Sequence, residues 1–164
     1  MTQSPPRHPR GGLYFDAFAV GQIYRHGVTR TVTQQDNLQY CAMTMNPQPL
    51  HIDAHFCATE TPFGKPLINS LYTLGLMVGI QAYDLTMGTT VANLGMDGIK
   101  FHTPLFDGDT VRVETEITAV RETKSRPEWG VVEFLHRAYN QRDELVGECR
   151  RLGMMVKAPS ANPD

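Results

Sequence analysis

The sequence predicts an α+β domain in which one antiparallel sheet wraps around a single long buried helix. Two observations predict it. The stretch from Leu67 to Ala82 is apolar over the length of a helix, and from about Val91 onward apolar and polar residues alternate at period two. On the helix, Leu67, Leu71, Leu74 and Val78 fall on one face, and Ile68, Tyr72, Leu76 and Gly79 on another. A helix apolar all round is surrounded by protein. In Thr110 to Thr118, Val111, Val113, Thr115 and Ile117 face one way and Arg112, Glu114, Glu116 and Thr118 the other, as in a half-solvated antiparallel strand. A sheet closing over one helix satisfies both patterns.

The elements follow in order. Leu13 to Val20 reads as an entry strand, Val20-Gly21-Gln22 as a turn, and the next run as a second strand to Val32. Thr33 is a good N-cap for a short helix, with Asp36 placed to complete a capping box and Leu38, Cys41 and Ala42 as its apolar stripe. Pro47 and Pro49 make the stretch 45–53 a loop, and a further helical turn runs from about Asp53 to Thr59. Pro66 suits the first turn of the long helix, and Gly75 and Gly79 allow a neighbour to approach it. Four strands complete the chain, at about Val91 to Phe101, Thr110 to Thr118, Gly130 to Asn140 and Leu145 to Lys157.

Composition narrows the function classes. A chain of 164 residues fits one domain, expected over 13–157, with a frayed Pro-, Arg- and Gly-rich tail at 1–12 and a second, APSANPD, at 158–164. The 15 Lys and Arg are scattered and the formal charge is −2, which points away from nucleic acid and from a membrane surface. Asn69, Ser70, Thr73, Gln81 and two glycines interrupt the longest apolar stretch, so it reads as a core helix rather than a bilayer span. The N-terminus lacks the apolar region of a secretory signal. Cys41, Cys57 and Cys149 show no metal spacing and read as free thiols in a reducing cytoplasm. His51 and His55 stand four apart, but no third ligand is evident and Pro49 opposes a regular helix there, so no metal site is expected.

Three segments carry a family resemblance: NPQPLHID at 46–53, FGKPLINSLYTLGL at 63–76 and FHTPLFDGDTVRVETEI at 101–117. In this order and spacing they resemble the MaoC-like dehydratase family of hotdog domains, which includes the R-specific enoyl-CoA hydratases. The NPQPLHID segment is similar to a subgroup of mesaconyl-CoA hydratase type. The resemblance implies a hotdog fold, an acyl-CoA substrate, no cofactor beyond the coenzyme A of that substrate, and a homodimer or larger homo-oligomer. The family's signature places an Asp five residues before its His, where this sequence has Asn46; aligning Asn46-Pro47 with the family's Asn-Pro puts Thr44 there instead. Either way the carboxylate is missing. Ser70 stands where the family's helix motif has Gly.

The chemistry is then hydration of an enoyl thioester or its reverse. It needs a base for the attacking water and donors for the thioester oxygen. His51 suits the first role, because imidazole titrates near neutral pH. The N-terminus of the long helix around Asn69 and Ser70 suits the second, with capping as the alternative role for both. Asn46 can position the water. Asp53 is a candidate to fix the imidazole tautomer, and Asp53 or Asp36 to replace the lost carboxylate. Lys65, Lys124 and Arg126 are candidates for the phosphates of coenzyme A, or plain surface charges. Two other readings stay open. An acyl-CoA thioesterase is disfavoured because no Asp or Glu lies between Gly64 and Tyr83, and an inactive CoA-thioester-binding homologue is suggested by the missing carboxylate.

Overall fold

In the computed structural model, which describes residues 5–159, a six-stranded antiparallel sheet packs against one long helix. The elements are β1 (Ile23–Arg25), β2 (Arg30–Thr31), α1 (Gln34–Met43), α2 (Pro49–Ile52), α3 (Ala54–Glu60), α4 (Ser70–Gln81), β3 (Thr90–Phe101), β4 (Thr110–Glu122), β5 (Trp129–Tyr139) and β6 (Leu145–Val156). The sheet order is β1-β4-β5-β6-β3, with β2 also on β4. The four long strands and the helix they enclose stand where the period-two and apolar patterns put them. On β4 the alternation holds residue by residue: Val111, Val113, Thr115 and Ile117 are buried and their neighbours half-exposed.

The first third of the chain departs from expectation. Leu13 to Val20 forms no strand. Leu13 makes a single bridge to Arg7, and Phe15–Ala17 is one 3₁₀ turn. Leu13, Tyr14, Phe15 and Phe18 are all buried, so this segment plugs one end of the core instead of alternating across a sheet. The second expected strand is split, because His26 turns inward between β1 and β2 to reach Asp84 and Thr115. Pro49 starts a single helical turn inside the expected loop, at a position where the missing N–H has no partner to lose. Residues 7–12, expected to fray, are tied down: Gly12 N–H donates to the Met87 carbonyl, and the Arg7 guanidinium to the Gly11 and Asp84 carbonyls.

Helix α4 begins at Ser70, not Leu67, because the Asn69 backbone is extended and its side-chain oxygen caps the Leu71 N–H. Nor is it enclosed on all sides within one chain. Leu71 is 57% exposed, and Gly75 and Gly79 on the same face are open.

Two apolar clusters form the core, one against α4 and one around the plug at Leu13 to Phe18. One gathers Met77, Ile80, Val111, Val113 and Cys149; the other gathers Leu13, Phe15, Leu85, Phe134 and Met155. A buried polar row separates them. Arg151 Nε donates to His136 Nε2 at 3.2 Å, which forces the proton of neutral His136 onto Nδ1, 2.9 Å from Thr115 Oγ1. The Thr115 hydroxyl can then donate to His26 Nε2 at 2.8 Å, leaving the His26 Nδ1–H for Asp84, also at 2.8 Å. Asp84 lies in the π-helical turn Ala82–Thr86 that ends α4. Burial, then the nearby Arg151 and His26, holds the His136 imidazole well below its usual range, and burial brings the Arg151 guanidinium down to about 10.

Candidate active site

The functional candidates collect where α1, α2 and the start of α4 meet, beside the beginning of β4. The capping box expected at Thr33 forms: Asp36 N–H donates to Thr33 Oγ1, and Thr33 N–H donates to the Asp36 carboxylate. Asp107 from the loop before β4 accepts the Gln34 N–H. Helix α1 is thereby fixed at its N-terminus to the strand layer. Its buried contacts are not the apolar stripe expected. Leu38 and Ala42 are exposed, while Asn37 is fully buried beside Cys41. That side of α1 meets backbone polar groups of 51 and 67–69, and an amide serves them where a Leu cannot.

His51 sits on α2 with its Nδ1 2.7 Å from the Leu67 carbonyl oxygen. A carbonyl only accepts, so Nδ1 carries the proton of the neutral ring and Nε2 keeps a free lone pair. The His51 carbonyl in turn accepts from Gln34 Nε2 at 2.8 Å and Asn37 Nδ2 at 2.9 Å. The imidazole is therefore held through both its ring and its backbone.

At the start of α4 the two candidates divide. Asn69 is committed to the fold: its N–H donates to Asn37 Oδ1 at 2.8 Å, its Oδ1 caps Leu71, and its Nδ2 faces Cys41 Sγ at 3.8 Å. The Ser70 N–H meets no acceptor among the described residues. Ser70 lines a cleft of about 320 Å³ together with Phe63, Leu67, Phe101, His102 and Val146. His102, given no role from the sequence, stands in that cleft, its Nε2 3.8 Å from the Glu148 carboxylate.

None of the other candidates hydrogen-bonds to the His51 ring. Asp53 does not fix the imidazole. Its carboxylate caps α3 by accepting the Phe56 N–H, and the Leu67 carbonyl takes the role expected of it. Asp36 is held by Thr33 and Arg30, so it does not replace the missing carboxylate. Asn46 Oδ1 accepts the Gln48 N–H, and the residue lines an open apolar groove with Leu38, Cys41, Met45 and Ile52 rather than bonding to His51. Lys65 stacks on Phe106, whose ring pairs with Phe63 at the cleft, which keeps it near the site. Lys124 and Arg126 lie beyond the far end of β4, about 40 Å along the strand from its start at ~3.3 Å per residue. Within one chain they are remote from His51. His51 and His55 fall on different helices, broken at Asp53, and no group of three potential metal ligands occurs among the described residues.

The model of the MaoC-like domain matches residues 16–135. The chain belongs to the MaoC-like domain family. Among curated relatives of this MaoC-like chain, β-methylmalyl-CoA dehydratase of Chloroflexus aurantiacus is 29% identical over 153 residues, covering 89% of this chain and 41% of that protein. Mesaconyl-CoA hydratase of Haloarcula marismortui is 27% identical over 157 residues, covering 93% and 42%. The MaoC-like chain thus spans less than half the length of these relatives. Among solved structures, one described as a monoamine oxidase regulatory protein from Archaeoglobus fulgius superimposes with a TM-score of 0.79 at 28% identity, covering 92% of this chain and 98% of that one. A Mycobacterium tuberculosis protein with a double hotdog fold gives a TM-score of 0.81 at 24% identity, covering 94% and 47%. The hotdog architecture expected from the sequence is the one observed.

Proposed function

We propose that this MaoC-like domain adds water reversibly across the C2=C3 bond of a short-chain 2-enoyl-CoA. The observation that carries the reading is the 2.7 Å contact from His51 Nδ1 to the Leu67 carbonyl, which leaves Nε2 as a lone-pair acceptor on a ring tied three residues before Ser70. Nε2 takes a proton from water as its oxygen bonds to C3, and returns a proton to C2 as the enolate collapses. The Ser70 N–H, at the positive end of α4, donates to the thioester oxygen while it carries the enolate charge. Asn46 keeps its Nδ2 for orienting the water, since only its Oδ1 is engaged by Gln48. The mainly apolar cleft suits a short acyl group, and the relatives' names put branched and dicarboxylic acyl-CoAs in range. Lys65 at its margin suits a CoA phosphate. Catalysis needs no cofactor beyond the coenzyme A of the substrate.

The same reading takes a second copy of the chain as partner. Strand β3 is an edge of the sheet, twelve residues long, with Val91, Leu94, Ile99 and Phe101 partly exposed along it. An apolar edge of that length asks for pairing. The open Leu71 face of α4 is also available to be covered. No helix among the described residues is long and apolar enough to cross a membrane, and the three thiols are free and buried, which suits the cytoplasm.

The test is an absorbance assay with crotonyl-CoA, longer enoyl-CoAs and mesaconyl-CoA, with free thiol followed in parallel. Loss of the enoyl thioester without thiol release is expected. Thiol release without hydration replaces the reading with a thioesterase, and silence in both channels with CoA thioesters still bound replaces it with a binding homologue.

A further inference from the structure

We propose that Asn37 is a positioning residue that sets the His51 imidazole and the N-terminus of α4 against each other. The proposal rests on the hydratase reading for its consequence, but its geometry stands apart from it. Asn37 is fully buried in α1, where Asn is a poor helix former and a buried amide is unfavourable unless every polar atom is met. Here each atom is met, and the partners belong to the two halves of the site. Nδ2 donates to the His51 carbonyl at 2.9 Å and to the Leu67 carbonyl at 3.1 Å, with Gln34 Oε1 at 3.3 Å. Oδ1 accepts the Asn69 N–H at 2.8 Å.

The Leu67 carbonyl links the amide to the ring, because it also accepts the His51 Nδ1–H. The amide that places this carbonyl therefore decides where the imidazole ring points. The same amide holds Asn69, the residue before Ser70, whose N–H is the proposed donor to the thioester oxygen. A shift of one ångström between base and oxyanion donor is enough to lower a rate about a hundredfold. Asn37 touches no substrate. An apolar side chain of similar size would pack α1 equally well but would leave the Asn69 N–H buried without a partner and take one donor from each of two carbonyls.

The test uses Asn37→Ala and Asn37→Ser, with Asn140→Ala as control, in the full chain. Nitrogen-15 NMR of the His51 ring reports its tautomer without reference to activity, and steady-state hydration of crotonyl-CoA gives kcat and KM separately. The wild type is expected to hold His51 as the Nδ1–H tautomer. In the folded Asn37 variants that single tautomer gives way to a mixture, and kcat falls at least tenfold with KM within about threefold. Asn140 is likewise a fully buried asparagine, but its side chain bonds only to Arg142 and Glu144 in the turn between β5 and β6, so Asn140→Ala stays within about threefold of wild type. Serine reaches at most one of the three partners, so it answers the same question if the alanine variant does not fold. An unchanged tautomer and unchanged kcat in either folded Asn37 variant, or equal damage from Asn140→Ala, overturns the proposal. A wild type without hydratase activity overturns the functional reading instead, and the tautomer comparison still decides the role of Asn37.

Discussion

His51 and Leu67 are joined by a 2.7 Å hydrogen bond from ring Nδ1 to the backbone carbonyl, sixteen residues on along the chain. A backbone acceptor fixes a tautomer without adding a charge, in the place where many enzymes use a carboxylate. Asp53, the nearest carboxylate in sequence, is occupied as the cap of α3. Replacing it with Ala therefore lowers stability by about 1 kcal/mol, the usual cost of an N-cap, and leaves kcat within about twofold. Thermal unfolding and the hydration assay on Asp53→Ala check both halves. A hundredfold loss of kcat without a loss of Tm would return the orienting role to Asp53.

Asn46 separates positioning from proton transfer. Counted five residues back from His51, it matches the acid of the family signature, and its Oδ1 already accepts the Gln48 N–H. An Asp at this position keeps that contact and adds a group able to take a proton. Asn46→Asp is expected to hydrate at least as fast as wild type, and Asn46→Ala about tenfold more slowly, within the range of general acid–base help. Initial rates at saturating crotonyl-CoA decide this, and an inactive Asn46→Asp would show that the amide itself is required.

The buried row from Arg151 to Asp84 makes stability sensitive to mild acid. His136 is neutral in the fold, with burial first and Arg151 second holding it below the ordinary imidazole value of about 6.5. The unfolded chain binds a proton there as pH falls through about 6.5 while the folded chain does not. Stability is thus fully present above that pH and is lost progressively below it. Melting curves from pH 8 to pH 5 are expected to show a falling Tm. In His136→Gln, which cannot take up the proton, the slope over that range should be smaller.

Strand β3 sets the association prediction. Ile99 and Phe101 lie on an unpaired edge and are 40% and 41% exposed. Placing a Lys at both positions blunts the edge in the way natural edge strands are protected. Light scattering is expected to find the wild type as a dimer or larger and the double variant as a monomer. A monomeric wild type would remove the partner chain from the account.

Much of this was legible in the sequence, for identifiable reasons. The strands announce themselves because side chains along β4 and β6 alternate between a drier and a wetter face, and a helix as apolar as α4 has few other places to go. Thr33 and Asp36 gave the start of α1 because capping is local chemistry within four residues. The plug at Leu13 to Phe18 and the inward turn of His26 were not legible, since both depend on partners such as Asp84 and Thr115 that are far along the chain. At the site, His51 and Ser70 came from short motifs, but Asn37 did not. Nothing local distinguishes it from a surface Asn, because its meaning lies in carbonyls 14 and 30 residues away. Where Lys124 and Arg126 lie was not legible for the converse reason: loop charges carry no information about which end of the sheet they occupy.

The most direct test of the central claim is the initial rate of crotonyl-CoA hydration by wild type and by His51→Gln, with folding of the variant checked by its melting curve. Gln can still donate to the Leu67 carbonyl but cannot take a proton from water. The account predicts a loss of roughly 10²–10⁴-fold in kcat with the fold intact. Equal rates in the two proteins would mean that His51 is a structural residue and that the base lies elsewhere.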